Sequence, residues 1–139
     1  MNLDLEVLKR LSSRFRAAIK KCEPKSLPVS LQCFPRGACG DAALLLAKYL
    51  EEHGYGLFDY VLGEREGRSH AWLQSGSLIV DITADQFEDQ DVPVIVTRDN
   101  SWHSTFHGEI EHVADFCIYD DHAACLLKGA YEKTSFIMT

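Results

Sequence analysis

One cysteine of this sequence lies where a thiol becomes reactive. Cys39 stands directly before the run GDAALLLAKYLEEHG, which is apolar almost all round and predicts a buried helix that begins at the cysteine and ends at Gly54. The unpaired N–H groups and the dipole at a helix N-terminus favour a thiolate over a thiol. Gly37 and Gly40 flank the cysteine, which permits a tight turn and the close approach of a substrate backbone. Cys39 is therefore the candidate nucleophile.

A base and an acid for this thiol follow in the segment SHAWLQSGSLIVDIT. Two alternating runs meet at Ser75 and Gly76, which predicts a hairpin with these two residues as its loop and with His70 directly opposite Asp81. Opposed residues share a face of the sheet, so the imidazole and the carboxylate would be neighbours. The aspartate would then orient the histidine and stabilise the imidazolium formed when it takes the thiol proton. Asp85 is the alternative acid.

An acyl-transfer site also needs hydrogen-bond donors for the oxyanion of its tetrahedral intermediate. The backbone N–H of Cys39 can supply one donor, and a side-chain amide can supply the other. Gln32 lies seven residues before Cys39 in the same proline-bounded loop, close enough for the chain to fold back. Gln32 and Cys39 are the predicted oxyanion donors.

The elements that must position these groups are those of an α+β chain. Apolar residues at helical spacing predict an amphipathic helix over residues 3–22. Short runs rich in Val, Ile, Leu and aromatic residues predict an antiparallel sheet with strands at residues 56–62, 69–74, 78–83 and 92–97. Residues 110–119 could form a helix or a strand. Residues 121–133 predict a helix capped by Asp120 or Asp121.

Length, composition and charge bound the possible functions. A chain of 139 residues that is 46% hydrophobic and 25% charged predicts one globular domain, residues 1–139. Its net charge of -7 repels phosphate backbones and anionic lipid, so neither nucleic acid nor a membrane is an expected partner. The sequence shows no secretory signal and no apolar stretch of about 18 residues, and its five cysteines lack the pattern of a disulfide framework. We expect a cytoplasmic protein, or an effector delivered from one cell into another.

Neither a metal nor an organic cofactor is expected. The gaps between the cysteines are longer than those of zinc motifs. His103 and His107 are four residues apart, as on one helical face, but no glutamate follows His103 as in the metalloprotease pattern. A loop is the expected structure of this segment.

The order of these residues resembles that of the papain-like and transglutaminase-like cysteine enzymes. Gln32 comes first, Cys39 opens a buried helix, His70 follows in His-Ala-Trp on one strand, and Asp81 follows in Asp-Ile-Thr on the next. The sequence resembles in particular the compact bacterial papain-fold proteins that include toxin deamidase domains, over about residues 30–87. The resemblance implies a cysteine-bearing helix packed on an antiparallel sheet that carries the histidine and a polar third member.

The resemblance implies that the protein is a cysteine-dependent enzyme that acts on an amide in a peptide or protein. Members are peptidases, glutamine deamidases, transglutaminases or acyltransferases. By this resemblance Cys39, His70 and Asp81 are catalytic and Gln32 corresponds to the oxyanion glutamine. The strict papain signature around the cysteine is absent, so hydrolysis, deamidation and transamidation all stay open.

Two other functions remain open from the sequence. A catalytically silent papain-like domain could use the same groove to bind a peptide or a partner protein. Alternatively, a redox sensor could form a reversible disulfide between Cys39 and Cys33. Neither alternative explains why His70 and Asp81 are spaced to share one face of a hairpin.

Overall fold

The computed structural model describes residues 4–139 as three α-helices and one five-stranded antiparallel sheet, which confirms the α+β class. The helices are α1 (Leu5–Lys21), α2 (Cys39–Glu52) and α3 (Asp121–Ile137). The strands are β1 (Asp59–Arg65), β2 (Arg68–Ser75), β3 (Leu78–Asp81), β4 (Ile95–Thr97) and β5 (Glu109–Val113). Their order across the sheet is β4-β3-β2-β1-β5.

The helices begin and end where their local sequence dictates. The Asp4 side chain accepts hydrogen bonds from two backbone N–H groups of the first turn of α1, and the Asp120 side chain accepts one, from Ala123, in α3. Gly54 follows α2 with a φ of +86°, a left-handed conformation that glycine adopts without strain. Leu3, which the pattern places in the first helix, lies outside the described residues.

The two faces of the sheet bury different clusters. Leu73 and Val80 lie on the face that packs against α2, in the larger core that α1 and α3 complete. Trp72 and Ile79 lie on the opposite face, in a smaller cluster with Phe106. Because side chains alternate along a strand, His70 shares the face of Trp72.

The hairpin between β2 and β3 differs from the prediction. Ser75 pairs with Leu78, so the loop is Gly76 and Ser77, and the predicted Ser75-Gly76 loop was wrong. Gly76 takes a φ of +60°, which favours glycine at the first position of a two-residue hairpin loop. This register places Asp81 level with Trp72 instead of His70. The shift is two residues, an even number, so Asp81 keeps the face on which it was predicted.

The segment after β4 closes over the second face of the sheet. Residues His103–Phe106 form a short 3-10 helix and lead into β5, which pairs with β1. Residues 110–119, for which the sequence allowed a helix or a strand, continue β5 up to Val113. A 3-10 turn follows at Phe116–Ile118. Within residues 4–139, no helix combines the length and the apolar character needed to span a membrane.

Candidate active site

Cys39 occupies the uncapped start of α2. Gly37 makes the turn into the helix with a φ of +68°, and Ala38, at the N-cap position, provides no side-chain hydrogen bond. The first N–H groups of α2 are therefore not satisfied by a capping side chain, and their partial positive charge lies next to the thiol. The Cys39 side chain is partly buried, and it lines a small cavity, without room for a water molecule, together with Asp81 and Thr83.

His70 and Asp81 meet where β2 and β3 have separated. Leu73 and Val80 are the last paired residues of these two strands. β2 begins earlier, at Arg68, and β3 ends one residue later, at Asp81. His70 Nε2 lies 2.6 Å from Asp81 Oδ2. Both side chains are almost completely buried, at 0% and 2% exposure. The predicted imidazole–carboxylate contact is thus present, although the two residues are not directly opposed.

Asp81 accepts hydrogen bonds on both of its oxygens. Oδ1 accepts from the backbone N–H of Thr83 at 2.9 Å, and Oδ2 lies 2.7 Å from His103 Nε2 in addition to His70. Burial alone would raise the pKa of Asp81, but the two histidines outweigh it and hold that pKa well below its usual range. Asp81 is therefore a carboxylate at neutral pH, fixed in orientation by three donors.

The electrostatics of His70 favour the imidazolium. Burial lowers the pKa of His70, but the charge and hydrogen bond of Asp81, followed by the nearby Cys39 sulfur, raise it from 6.5 to about 9. Because Nε2 is directed at Asp81, Nδ1 is the ring nitrogen that remains for Cys39. Within residues 4–139 this buried Nδ1 atom has no hydrogen-bond partner. The second ring nitrogen of His70 is therefore free for a proton transfer, and Cys39 is close enough for its charge to act on the imidazole.

An aromatic shell excludes water from His70. The rings of Phe87 and Phe106 lie 5.0 and 5.3 Å from the imidazole, between ring centroids. Trp72 and Trp102 complete the shell at 5.6 and 5.8 Å. A low-dielectric surrounding of this kind strengthens the attraction between the imidazolium and Asp81.

Two glycines allow this shell to close. A Cβ atom on Gly63, which pairs with His70, would lie 2.5 Å from the backbone oxygen of Phe106. A Cβ atom on Gly108 would lie 2.8 Å from the Trp72 ring. Any larger residue at either position would push the 103–106 segment away from the sheet.

The other predicted side chains have different partners. Gln32 is exposed, and its amide donates to the backbone oxygen of Leu27 at 3.0 Å, so it would have to leave that bond to act as an oxyanion donor. The alternative acid, Asp85, forms a two-pronged ion pair with Arg16, at 2.9 and 2.8 Å. Asp85 is thus engaged with α1, which leaves Asp81 as the carboxylate of the site.

His103 is the site residue that sequence reasoning missed. The sequence relates His103 only to His107, four residues later, and predicts a loop for this segment. Its side chain is 2% exposed and bonded to Asp81, whereas His107 is exposed. No periodic pattern marks residues 100–108, so only the packing of this segment against β1 and β2 brings His103 to the site.

The cluster of His70, Asp81 and His103 also has the composition of a metal site, since one ligand atom from each lies within 4.8 Å of the others. The two N–O distances of 2.6 and 2.7 Å are those of hydrogen bonds. Zinc bound tetrahedrally at about 2.0–2.2 Å would hold such atoms about 3.3 Å apart. The observed geometry is that of a hydrogen-bonded carboxylate, and a metal would require the histidines to move outward.

Comparison of the chain with protein-family models, with curated proteins and with solved structures gives no match.

Proposed function

We propose that this protein is a cysteine-dependent acyl-transfer enzyme, with Cys39 as nucleophile, His70 as base and Asp81 as the residue that orients the base. The observation that carries the proposal is the buried His70 ring, which is bonded through Nε2 to a carboxylate, leaves Nδ1 without a partner and has its pKa raised in part by Cys39. A buried titratable group whose pKa is shifted by burial and by one specific charged partner is typical of functional sites.

In the proposed reaction the Cys39 proton resides on His70, and the thiolate sulfur attacks the carbonyl carbon of an amide. The C–S bond forms, and the electron pair of the C=O double bond moves to the oxygen, where the Cys39 backbone N–H stabilises it. Collapse of this intermediate breaks the C–N bond, and the imidazolium protonates the departing amine. Water or a second amine then attacks the thioester carbonyl while His70 takes its proton, the C–S bond breaks, the acid or new amide leaves, and the thiolate and imidazolium are restored.

The raised pKa of His70 supports this order of events. A value of about 9 keeps the imidazole protonated at pH 7, so a proton that leaves Cys39 is held next to the sulfur and is available to the leaving group. The negative Asp81 compensates the imidazolium, which would otherwise be an unpaired buried charge. All of these steps use side chains and backbone groups of the chain itself.

The proposed substrate is a peptide or protein amide, and the proposed fold is that of the papain-like and transglutaminase-like enzymes. Support for the fold lies in the arrangement of α2, with its cysteine at the first position, on a sheet whose β2 and β3 carry the histidine and the aspartate. All five cysteines are free, as expected of a protein of the reducing cytoplasm, where we place this activity.

The experiment that tests the proposal is alkylation of Cys39 by iodoacetamide, followed by peptide mass spectrometry from pH 5 to 9. We expect Cys39 to react at pH 6 at least about tenfold faster than the exposed Cys33, Cys117 and Cys125, because the proposed His70 imidazolium favours its thiolate. His70→Ala should remove that advantage. His122→Ala, a substitution of an exposed histidine on α3, is the matched control and should leave the Cys39 rate unchanged.

A different result would identify the alternative function. If Cys39 reacts no faster than the exposed cysteines in the wild-type chain, and His70→Ala changes nothing, no activated thiol exists. The site would then be a catalytically silent groove that binds a peptide or a partner protein. A Cys39–Cys33 disulfide on mild oxidation would indicate redox sensing instead.

A further inference from the structure

The hydroxyl group of Tyr60 lies against the first turn of α2. Tyr60 is on β1, and a Cβ atom on Gly40 would stand 2.7 Å from its hydroxyl oxygen. Gly40 has no left-handed φ, so the backbone conformation does not require glycine there. The space that glycine leaves is the space that the Tyr60 hydroxyl occupies, one residue beyond Cys39.

The surroundings of Tyr60 hold its ring in place and keep its hydroxyl protonated. The ring stacks on His112, with 4.8 Å between the centroids and 6° between the planes. Burial, followed by the negative charge of a Cys39 thiolate, raises the pKa of Tyr60 above its usual range. Within residues 4–139 the Tyr60 hydroxyl makes no hydrogen bond, whereas the hydroxyl of Tyr119 bonds to His112. Tyr60 thus presents a free O–H donor beside the nucleophile.

We propose that the Tyr60 hydroxyl donates the second hydrogen bond to the oxyanion of the tetrahedral intermediate, together with the backbone N–H of Cys39. This inference rests on the proposed acyl-transfer function and names a further catalytic residue for it. Gln32, the donor predicted from the sequence, is exposed and bonded to Leu27. Tyr60 needs no rearrangement to face the start of α2, because Gly40 already leaves room for its hydroxyl.

The role of Tyr60 can be separated from the role of the Cys39–His70 pair by two reactions of the same thiol. Iodoacetamide is attacked at a saturated carbon, iodide leaves, and no oxyanion forms. In p-nitrophenyl acetate the sulfur bonds to the carbonyl carbon, the C=O electron pair moves to the oxygen, and p-nitrophenolate leaves as the carbonyl is restored. Only the second reaction develops negative charge on an oxygen that Tyr60 could stabilise.

The experiment measures both rates on the intact chain for the wild type, Tyr60→Phe and Tyr55→Phe. Tyr60→Phe keeps the ring that stacks on His112 and removes only the hydroxyl. We expect it to slow acetylation of Cys39 on the order of 100-fold and to change alkylation less than threefold. Tyr55→Phe removes a phenol that lies beyond the far end of α2, about 20 Å along the helix from Cys39. This control should change neither rate.

The outcomes distinguish a failure of this inference from a failure of the proposed function. If wild-type Cys39 is alkylated in a manner that depends on His70 and is acetylated equally fast in Tyr60→Phe, Tyr60 is not an oxyanion donor and the acyl-transfer proposal stands. Alkylation without any acetylation in the wild type also overturns the role of Tyr60. If Cys39 shows no dependence on His70, the proposed function fails and the inference fails with it. Should Tyr60→Phe misfold, Gly40→Ala provides a second test, because its methyl group displaces the hydroxyl and should slow acetylation selectively.

Discussion

Asp81 lies two residues away from the position directly opposite His70, yet its Oδ2 atom is 2.6 Å from His70 Nε2. Diagonal neighbours on one face of a sheet are ordinarily too far apart for so short a contact between small side chains. The contact forms because pairing between β2 and β3 stops at Leu73 and Val80. The two side chains therefore meet beyond the last paired residues of β2 and β3, where Asp81 and Cys39 line the same small cavity.

The charge on His70 depends on Asp81. Asp81→Asn removes the carboxylate and leaves the burial that lowers the pKa of the imidazole. We expect the His70 pKa, measured by NMR of the ring protons, to fall from about 9 to its ordinary 6.5 or lower. The wild-type imidazole is thus charged at pH 7 to 8, and the variant imidazole is largely neutral there. Asp91→Asn, at an exposed carboxylate, is the control, and an equal shift in both variants would contradict the prediction.

His103 stabilises the site by holding the buried carboxylate. His103→Leu leaves Oδ2 of Asp81 with one donor fewer, and we expect the free energy of unfolding to fall by about 1–3 kcal/mol in urea denaturation at pH 7. His103→Gln can place an amide N–H near the lost Nε2 position and should recover part of that loss. No recovery in the glutamine variant, with a loss equal to that of leucine, would mean that His103 acts only through packing.

Closure of the aromatic shell requires a glycine at position 63. In Gly63→Ala the methyl group meets backbone atoms of Phe106 and Gly108, at 2.5 and 2.9 Å, and displaces the 103–106 segment. We expect stability to fall by about 1–3 kcal/mol and tryptophan emission to shift to longer wavelength as Trp102 becomes more exposed.

The matched control for that substitution is Gly129→Ala on α3. No atom lies within 4 Å of the added methyl group, and alanine favours a helix interior more than glycine does. This variant should gain about 0.5–1 kcal/mol in the free energy of unfolding. If both alanine variants change stability in the same direction, the close approach at Gly63 is not what limits that position.

We expect the buried cluster of His70, Asp81 and His103 to be held together by hydrogen bonds and to function without a metal ion. Extensive dialysis against EDTA should leave the Cys39 alkylation rate at pH 6 within twofold of its original value. Metal analysis of the purified protein provides the independent measurement. A stoichiometric transition metal that is lost in His103→Leu would show that the cluster binds an ion, since its three ligand atoms are already within 4.8 Å of one another.

The sequence by itself determined the three helices, the two strands that carry the site, and the face of the sheet on which His70 and Asp81 lie. The long apolar run that follows Cys39 specifies a buried helix with the thiol at its start. The alternation of apolar and polar residues in SHAWLQSGSLIVDIT specifies two strands with His70 and Asp81 on one face. These features are local, because helix and strand periodicity are properties of neighbouring residues. An error of two residues in the hairpin register did not move Asp81 to the other face.

Only the tertiary structure decided which groups complete the site. His103 reaches Asp81 from a segment without periodic pattern, and the Tyr60 hydroxyl reaches the start of α2 across the sheet. Gln32, although close to Cys39 in sequence, is bonded within its own loop. Contacts of this kind join residues that are distant along the chain or compete with local partners. They depend on how the elements pack, for which the spacing of residues in one sequence carries no signal.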